Sequence, residues 1–289
     1  SRGLGDVYKR QVSCSALMKL YGGLGGSTEC SIANSLWTDP EGRMQEDFVG
    51  RCSGIFDAQV FQEDLSAPVI VPALNSWVSD HTAGMIPQII QRPFGEGAAA
   101  LMVNALYLKN TWAAKFDPSD TVTRDFTRAD GAAEPLDFLQ HFSRSLTYLQ
   151  SGSDEGVLLP YDDGRLAFFA LMPRQSSGVP DFERWLSSLT GEGLSALLSG
   201  REETFFLRLS LPKFEQEWSG ELKDALAALG LTDAFDPDLA DFSLLGDDPR
   251  GYYLSQVIHA ARIEVNEEGT EAAAATVVAA ASGAAPPQE

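Results

Sequence analysis

Asn266 to Gln288 read NEEGTEAAAATVVAAASGAAPPQ, and this stretch decides the architecture. Its four consecutive alanines, Ala272 to Ala275, favour a helix, yet Gly269 stands before them and the β-branched Thr276, Val277 and Val278 follow. Residues of that second kind fit a strand better than a loop. In a strand, alternate side chains fall on opposite faces. Thr270, Ala272, Ala274, Thr276, Val278 and Ala280 then make a face without charge. Glu271, Ala273, Ala275, Val277 and Ala279 make the other, with its single charge near one end. Beyond Ser282 and Gly283 come Pro286 and Pro287, which no central strand accepts. The segment therefore suits two states, an exposed flexible loop or a buried strand with its uncharged face inward. The plain alternative is an Ala/Pro-rich tail of low complexity that never folds.

The rest of the chain narrows the classes. Its 289 residues have room for one large domain or two small ones. Apolar residues at 44% and aromatics at 10% supply a sizeable core. A formal net charge of -20 repels nucleic acid and anionic membranes, and no basic cluster stands out that could hold a polyanion such as heparin. Cys14, Cys30 and Cys52 are too few and too scattered for a disulfide framework or a zinc site, so no metal or cofactor is expected. No apolar run is long enough to span a bilayer, and the N-terminus lacks the apolar region of a signal peptide. A hydrolase is not expected either: there is no G-x-S-x-G elbow, and His81, His141 and His259 each read as packing or surface residues.

Taken in order, the chain opens with Ser1 to Gln11, which show no apolar periodicity and are set aside as an uncertain leader extending to about residue 20. Gly22, Gly23, Gly25 and Gly26 read as a turn, since no GxGxxG follows a strand there. Phe48, Cys52, Ile55 and Phe56 recur at helical spacing, and so do Leu74, Trp77, Val78 and His81, with Gly84 as a C-cap. Leu101 to Leu108 is strand-like, with Asn104 interrupting an apolar run as a buried amide that needs partners. Val157 to Met172 reads as a hairpin turning at Asp163-Gly164. Phe182 to Leu198 is helical, and Leu207, Leu209 and Leu211 alternate with Arg208 and Ser210 as a strand. Leu222 to Leu229 is a short helix ended by Gly230, and YYLSQVIHAARIEV is a long strand leading into the opening stretch. Strands and helices mix without a βαβ rhythm, which makes the fold class α+β.

EVNEEGTEAAAAT resembles the hinge of the reactive-centre loop of a serpin, the suicide inhibitors of serine proteases. Further motifs follow the family's order. Asn75, Trp77, Val78, Thr82, Gly84 and Ile86 resemble the helix that lies across the main sheet, and NALYLKNTW resembles a central strand, with Leu108 for Phe and Asn110 for Gly. LPKF, LGLTDAF and ADFSLL are similar to later landmarks. The likeness runs from roughly Ile32 to Glu289 and implies one serpin domain over 21–289, with three β-sheets and an exposed reactive-centre loop at 267–289. The family's N-terminal helices and first strand, expected before Met44, are not recognisable, and its strands after the loop lie beyond Glu289. The resemblance thus implies a chain shortened at both ends, with apolar surface and unpaired sheet edges exposed.

The resemblance also assigns roles. The hinge comprises Glu267, Glu268, Gly269, Thr270, Glu271, Ala272, Ala273, Ala274, Ala275 and Thr276. Glu267 would pair with Lys213 at the top of the main sheet, with Trp112 packed in the same region. Asn104 and His259 would hydrogen-bond where the sheet parts, their usual serine partners belonging to the unrecognised N-terminal part. Hinge spacing places the scissile residue at Gly283, with Ser282, Ala281 and Ala284 as alternates. These small residues suit an elastase- or subtilisin-like protease, trapped as a covalent complex by a monomeric inhibitor without cofactors. The family's usual setting is extracellular or periplasmic. A hinge free of charge and proline on its inward face favours inhibition over the runner-up, a non-inhibitory serpin-fold binding or chaperone protein or an inactive fragment.

Overall fold

In a computed structural model, the chain is described over residues 2–282, apart from 25–26, 41–43, 96, 129, 144–145, 153, 175–178, 204–206 and 247–250. Helix α1 (Arg2–Gly22) leads into β1 (Glu29–Thr38), α2 (Glu46–Phe56), β2 (Ala58–Gln62), α3 (Ile70–His81) and β3 (Ala98–Thr111). Strands β4 (Val122–Thr127), β5 (Ala133–Ser143), β6 (Thr147–Ser151), β7 (Asp154–Pro160) and β8 (Ala167–Pro173) follow. Then come α4 (Val179–Ser188), α5 (Gly191–Ser199), β9 (Arg201–Glu203), β10 (Leu207–Pro212), β11 (Phe214–Glu221), α6 (Lys223–Ala228), β12 (Tyr252–Val265) and β13 (Gly269–Ser282).

Three sheets result, as expected. The main sheet has six strands in the order β11-β12-β13-β3-β1-β2, antiparallel except for the parallel β1–β2 pair. A three-stranded sheet runs β10-β5-β4 and a four-stranded one β8-β7-β6-β9. β13 is a central strand: Thr270 lies opposite Val265 and Ser282 opposite Tyr252, while Gly269 faces Thr111 and Ala281 faces Ala98 across the other edge. Residues 269–282 of the stretch expected as an exposed loop are therefore inserted as a strand, though not with the anticipated face inward.

One face of the main sheet is sealed by α3 and by the connector between α3 and β3. Leu74, Trp77 and Val78 from the helix, and Ile86, Ile89, Ile90 and Phe94 from the connector, pack on Leu101, Val103, Ala105 and Tyr107 of β3. The connector begins at Gly84, whose φ of 79° ends the helix with its N–H donated to Ser79 O at 2.8 Å. A second core forms between the sheets around Trp112, Leu139, Val157, Leu211 and Val265. The opposite face of the main sheet is only half buried, with α1 and α2 near β1 and β2. Residues 2–22 form one helix through the segment set aside as a leader, and β1 occupies the region before Met44 where no strand was recognised. Both escape a periodicity search: the α1 side chains described, Lys9 and 12–22, are exposed or half-buried, and β1 passes from exposed through half-buried to buried along its length rather than alternating.

Candidate functional site

A hairpin joins β12 to β13 and sets the start of the central strand. Asn266 closes it, its side-chain Oδ1 accepting the N–H groups of Glu268 at 2.9 Å and Gly269 at 3.2 Å, and its own N–H reaching Gly269 O at 3.1 Å. Trp112 reads the turn from the facing strand: its Nε1 donates to Asn266 O at 2.9 Å and its backbone N–H to Glu268 O at 3.0 Å. The ring itself is buried, stacked on Tyr161 with centroids 5.0 Å apart. Gly269 has no room for a side chain, since a Cβ there would lie 1.9 Å from Asn110 O.

Glu267 and Lys213 meet here, 2.9 Å apart. Thr121 donates its hydroxyl to the other carboxylate oxygen at 3.0 Å, and Phe116 N–H holds the Glu267 carbonyl at 3.1 Å. Burial pushes the Glu267 carboxyl up, but the Lys213 ammonium, its own backbone N–H and the Thr121 hydroxyl outweigh it and hold the group below the usual carboxylate range. Glu268 turns outward to Lys115. Glu271 is the one charge within the inserted strand, and it is met by Tyr107 Oη at 2.7 Å and Lys109 Nζ at 3.5 Å. Burial, then the Glu271 hydrogen bond and the charges of Glu271 and Glu29, push the Tyr107 hydroxyl upward, so it stays a donor.

The faces of β13 are reversed from the expectation. Ala273, Ala275, Val277 and Ala279 pack into the core under α3, while Ala272, Ala274, Thr276 and Val278 on the uncharged face are half-buried. The reason is cover: α3 and its connector seal the first face, and the lone Glu271 escapes at the strand's upper end among its own partners. Thr276 and Val278 instead line a cavity of about 280 Å³ with Phe48, Cys52 and Phe56 of α2.

On this half-buried face, register aligns Asn34, Asn104, Thr276, His259 and Gly220 in one row across five strands. His259 Nδ1 and the Thr276 hydroxyl are hydrogen-bonded at 2.7 Å, tying β12 to the inserted strand. Asn104 Nδ2 donates to Asn34 Oδ1 at 2.9 Å, and Asn34 Nδ2 donates to Phe56 O at the end of α2, 2.8 Å away. Sequence reasoning had Asn104 and His259 but missed Asn34, although SIANSLW carries the same signal as VNALYL, an amide interrupting an apolar run. Thr121, Tyr107 and Lys109 were also missed, and nothing local marks them. Of the scissile candidates, Ala281 and Ser282 end β13, at the opposite pole of the sheet from Glu267, while Gly283 and Ala284 lie outside the described residues. His81 stacks on Trp77 with centroids 4.1 Å apart, and His141 meets the Phe116 ring edge-on, as packing residues.

A family model described as serpin (serine protease inhibitor) matches residues 8–289. The chain is a serpin. The match begins inside the segment set aside as a leader, so at least residues 8–20 belong with the family's pattern. Serpin B10 of Sorex araneus is 33% identical over 203 residues, covering 69% of this chain and 50% of the relative. Serine protease inhibitor 42Dd of Drosophila melanogaster is 33% identical over 210 residues, covering 72% and 54%. The chain spans about half the length of these curated relatives. Among solved structures, the thermophilic serpin tengpin in the latent state superposes with a TM-score of 0.80 at 29% identity, over 91% of this serpin and 70% of that chain. Cleaved serpin 42Da gives 0.83 at 27% identity, over 94% and 72%.

Proposed function

We propose that this serpin is a suicide inhibitor of serine proteases, directed at an elastase- or subtilisin-like enzyme. The observation that carries the reading is that Gly269–Ser282 fits between β12 and β3 along its whole length. In this reading the same segment begins outside the sheet as bait. The protease serine attacks the carbonyl of Gly283, or of Ala281, Ser282 or Ala284, and expels the amine of the next residue, which leaves an acyl-enzyme ester. Zipping the strand into the sheet from Gly269 then carries the ester end roughly 40 Å, at about 3.3 Å per residue, away from its starting pole. The new ladder supplies a driving force on the order of 10 kcal/mol. Glu267, Lys213, Thr121 and Trp112 fix the fulcrum, while His259, Thr276, Asn104 and Asn34 hold the parted strands. The inhibitor acts as a monomer, forms a covalent complex and meets its target outside the cytoplasm.

A second reading has one observation in its favour. Residues 269–282 are already in the sheet with the chain continuous through Ser282, an arrangement that withholds Ala281 and Ser282 from any protease, as in a latent form. One experiment separates the two: mixing the serpin with pancreatic elastase and with a subtilisin, followed by denaturing gel electrophoresis. A stable band at the summed mass is expected, with mass analysis of the released peptide locating the cut at 281–284. Cleavage there without the band reduces the loop to a substrate and sinks the inhibitor reading. An intact loop with no band establishes the latent, non-inhibiting one.

A further inference from the structure

On the α3 side of the main sheet, the connector between α3 and β3 stands off β12 around a cavity of about 640 Å³. That volume lies within the roughly 300–1,000 Å³ of small-molecule sites. Ile89, Ile90 and Phe94 form one wall, and Ile258 with Gln256 form the other. The connector wall is built rigidly. The Asn75 amide oxygen accepts from Ile89 N–H at 2.9 Å and Ile90 N–H at 3.0 Å, and its nitrogen donates to Ile90 O at 2.9 Å. Phe94 N–H is held by Leu65 O at 3.1 Å. The second wall stands where the β12–β13 register shifts between Leu254 and Gln256.

The mouth is polar and unspent. Arg92 and Gln256 line it, and neither side chain has a hydrogen-bond or ion-pair partner among the described residues. A cation without a carboxylate is an unusual feature on a chain of net charge -20. Its planar guanidinium presents a two-pronged donor that matches a carboxylate, while the isoleucine and phenylalanine walls suit a hydrocarbon or aryl body. One cation neutralises one negative charge, so the site fits a monoanion better than a phosphate monoester.

We propose that this cavity is a binding site for a small amphipathic monocarboxylate, its head on Arg92 and its body between Ile90, Phe94 and Ile258. Isothermal titration of the full chain with dodecanoate below its micelle concentration tests it. The expected result is saturable binding at one per chain, weakened tenfold or more in Arg92→Glu, less in Arg92→Lys, and absent for acetate. Gln256→Trp, which fills the cavity from the β12 side, should abolish binding while near-ultraviolet circular dichroism shows the fold retained. Binding unchanged in Arg92→Glu or in a folded Gln256→Trp would assign the dodecanoate to other apolar surface and overturn the proposal. So would the absence of binding at millimolar dodecanoate.

Discussion

Glu267 shows how much one side chain of the β12–β13 hairpin does. Its carboxylate ties the β12–β13 hairpin to Lys213 just ahead of β11 and to Thr121 just ahead of β4. The folded-state pKa lies below the ordinary carboxylate value of about 4.3. Its contribution is therefore complete above that value and fades as pH falls through the lower, folded one. Lys213 is 42% exposed, so solvent screening limits the contribution to roughly 1 kcal/mol. Denaturant midpoints of the parent and Glu267→Gln should differ at pH 7 and draw together as pH falls below the ordinary carboxylate value. A gap that stays constant over that range would mean the carboxylate's charge is not what the hairpin uses. This pair was legible in the sequence because EVNEEGT and LPKF are separate, specific motifs. Thr121 was not, since a threonine in a loop gives no sign of which carboxylate it will meet.

At the scale of the element, β13 depends on small, uncharged side chains wherever the sheet is sealed. Ala275 and Val277 are fully buried beneath α3 and its connector. An ionised group there costs several kcal/mol, which is of the same order as the whole ladder's gain. Ala275→Glu should therefore keep the strand out of the sheet. Digestion with thermolysin reads this directly: cuts are expected within residues 272–280 in the variant and not in the parent. Equal resistance of the two chains would show that the strand tolerates a buried charge and that insertion is not governed by this face. The sequence displayed two alternating faces plainly but led to the wrong one as the inward face. Polarity alone ranks a face with one glutamate second. The structure ranks it first because that glutamate sits at the end, beside Tyr107 and Lys109.

For the molecule as a whole, a net charge of -20 opposes compaction by self-repulsion. The ion pairs among the described residues mostly join partly exposed partners, so each contributes little and salt has little there to remove. Screening the repulsion should therefore win. Raising sodium chloride from 10 to 150 mM, which shortens the Debye length from about 30 Å to about 8 Å, is expected to raise Tm by a few degrees. A fall in Tm would mean that specific pairs outweigh the overall field.

The amino-acid sequence by itself determined the α+β class and, through several motifs that resemble one family, the serpin family and the meeting of Glu267 with Lys213. Each rests on a local pattern: a run of small residues, an alternation, an amide within an apolar strand. Only the tertiary structure decided which of its two states the 269–282 segment occupies, which of its faces is sealed, and that Asn34, Thr121 and Tyr107 belong to the site. Those answers depend on which strands and helices stand on either side of β13. They come from contacts between residues far apart in the chain, about which local periodicity carries no information.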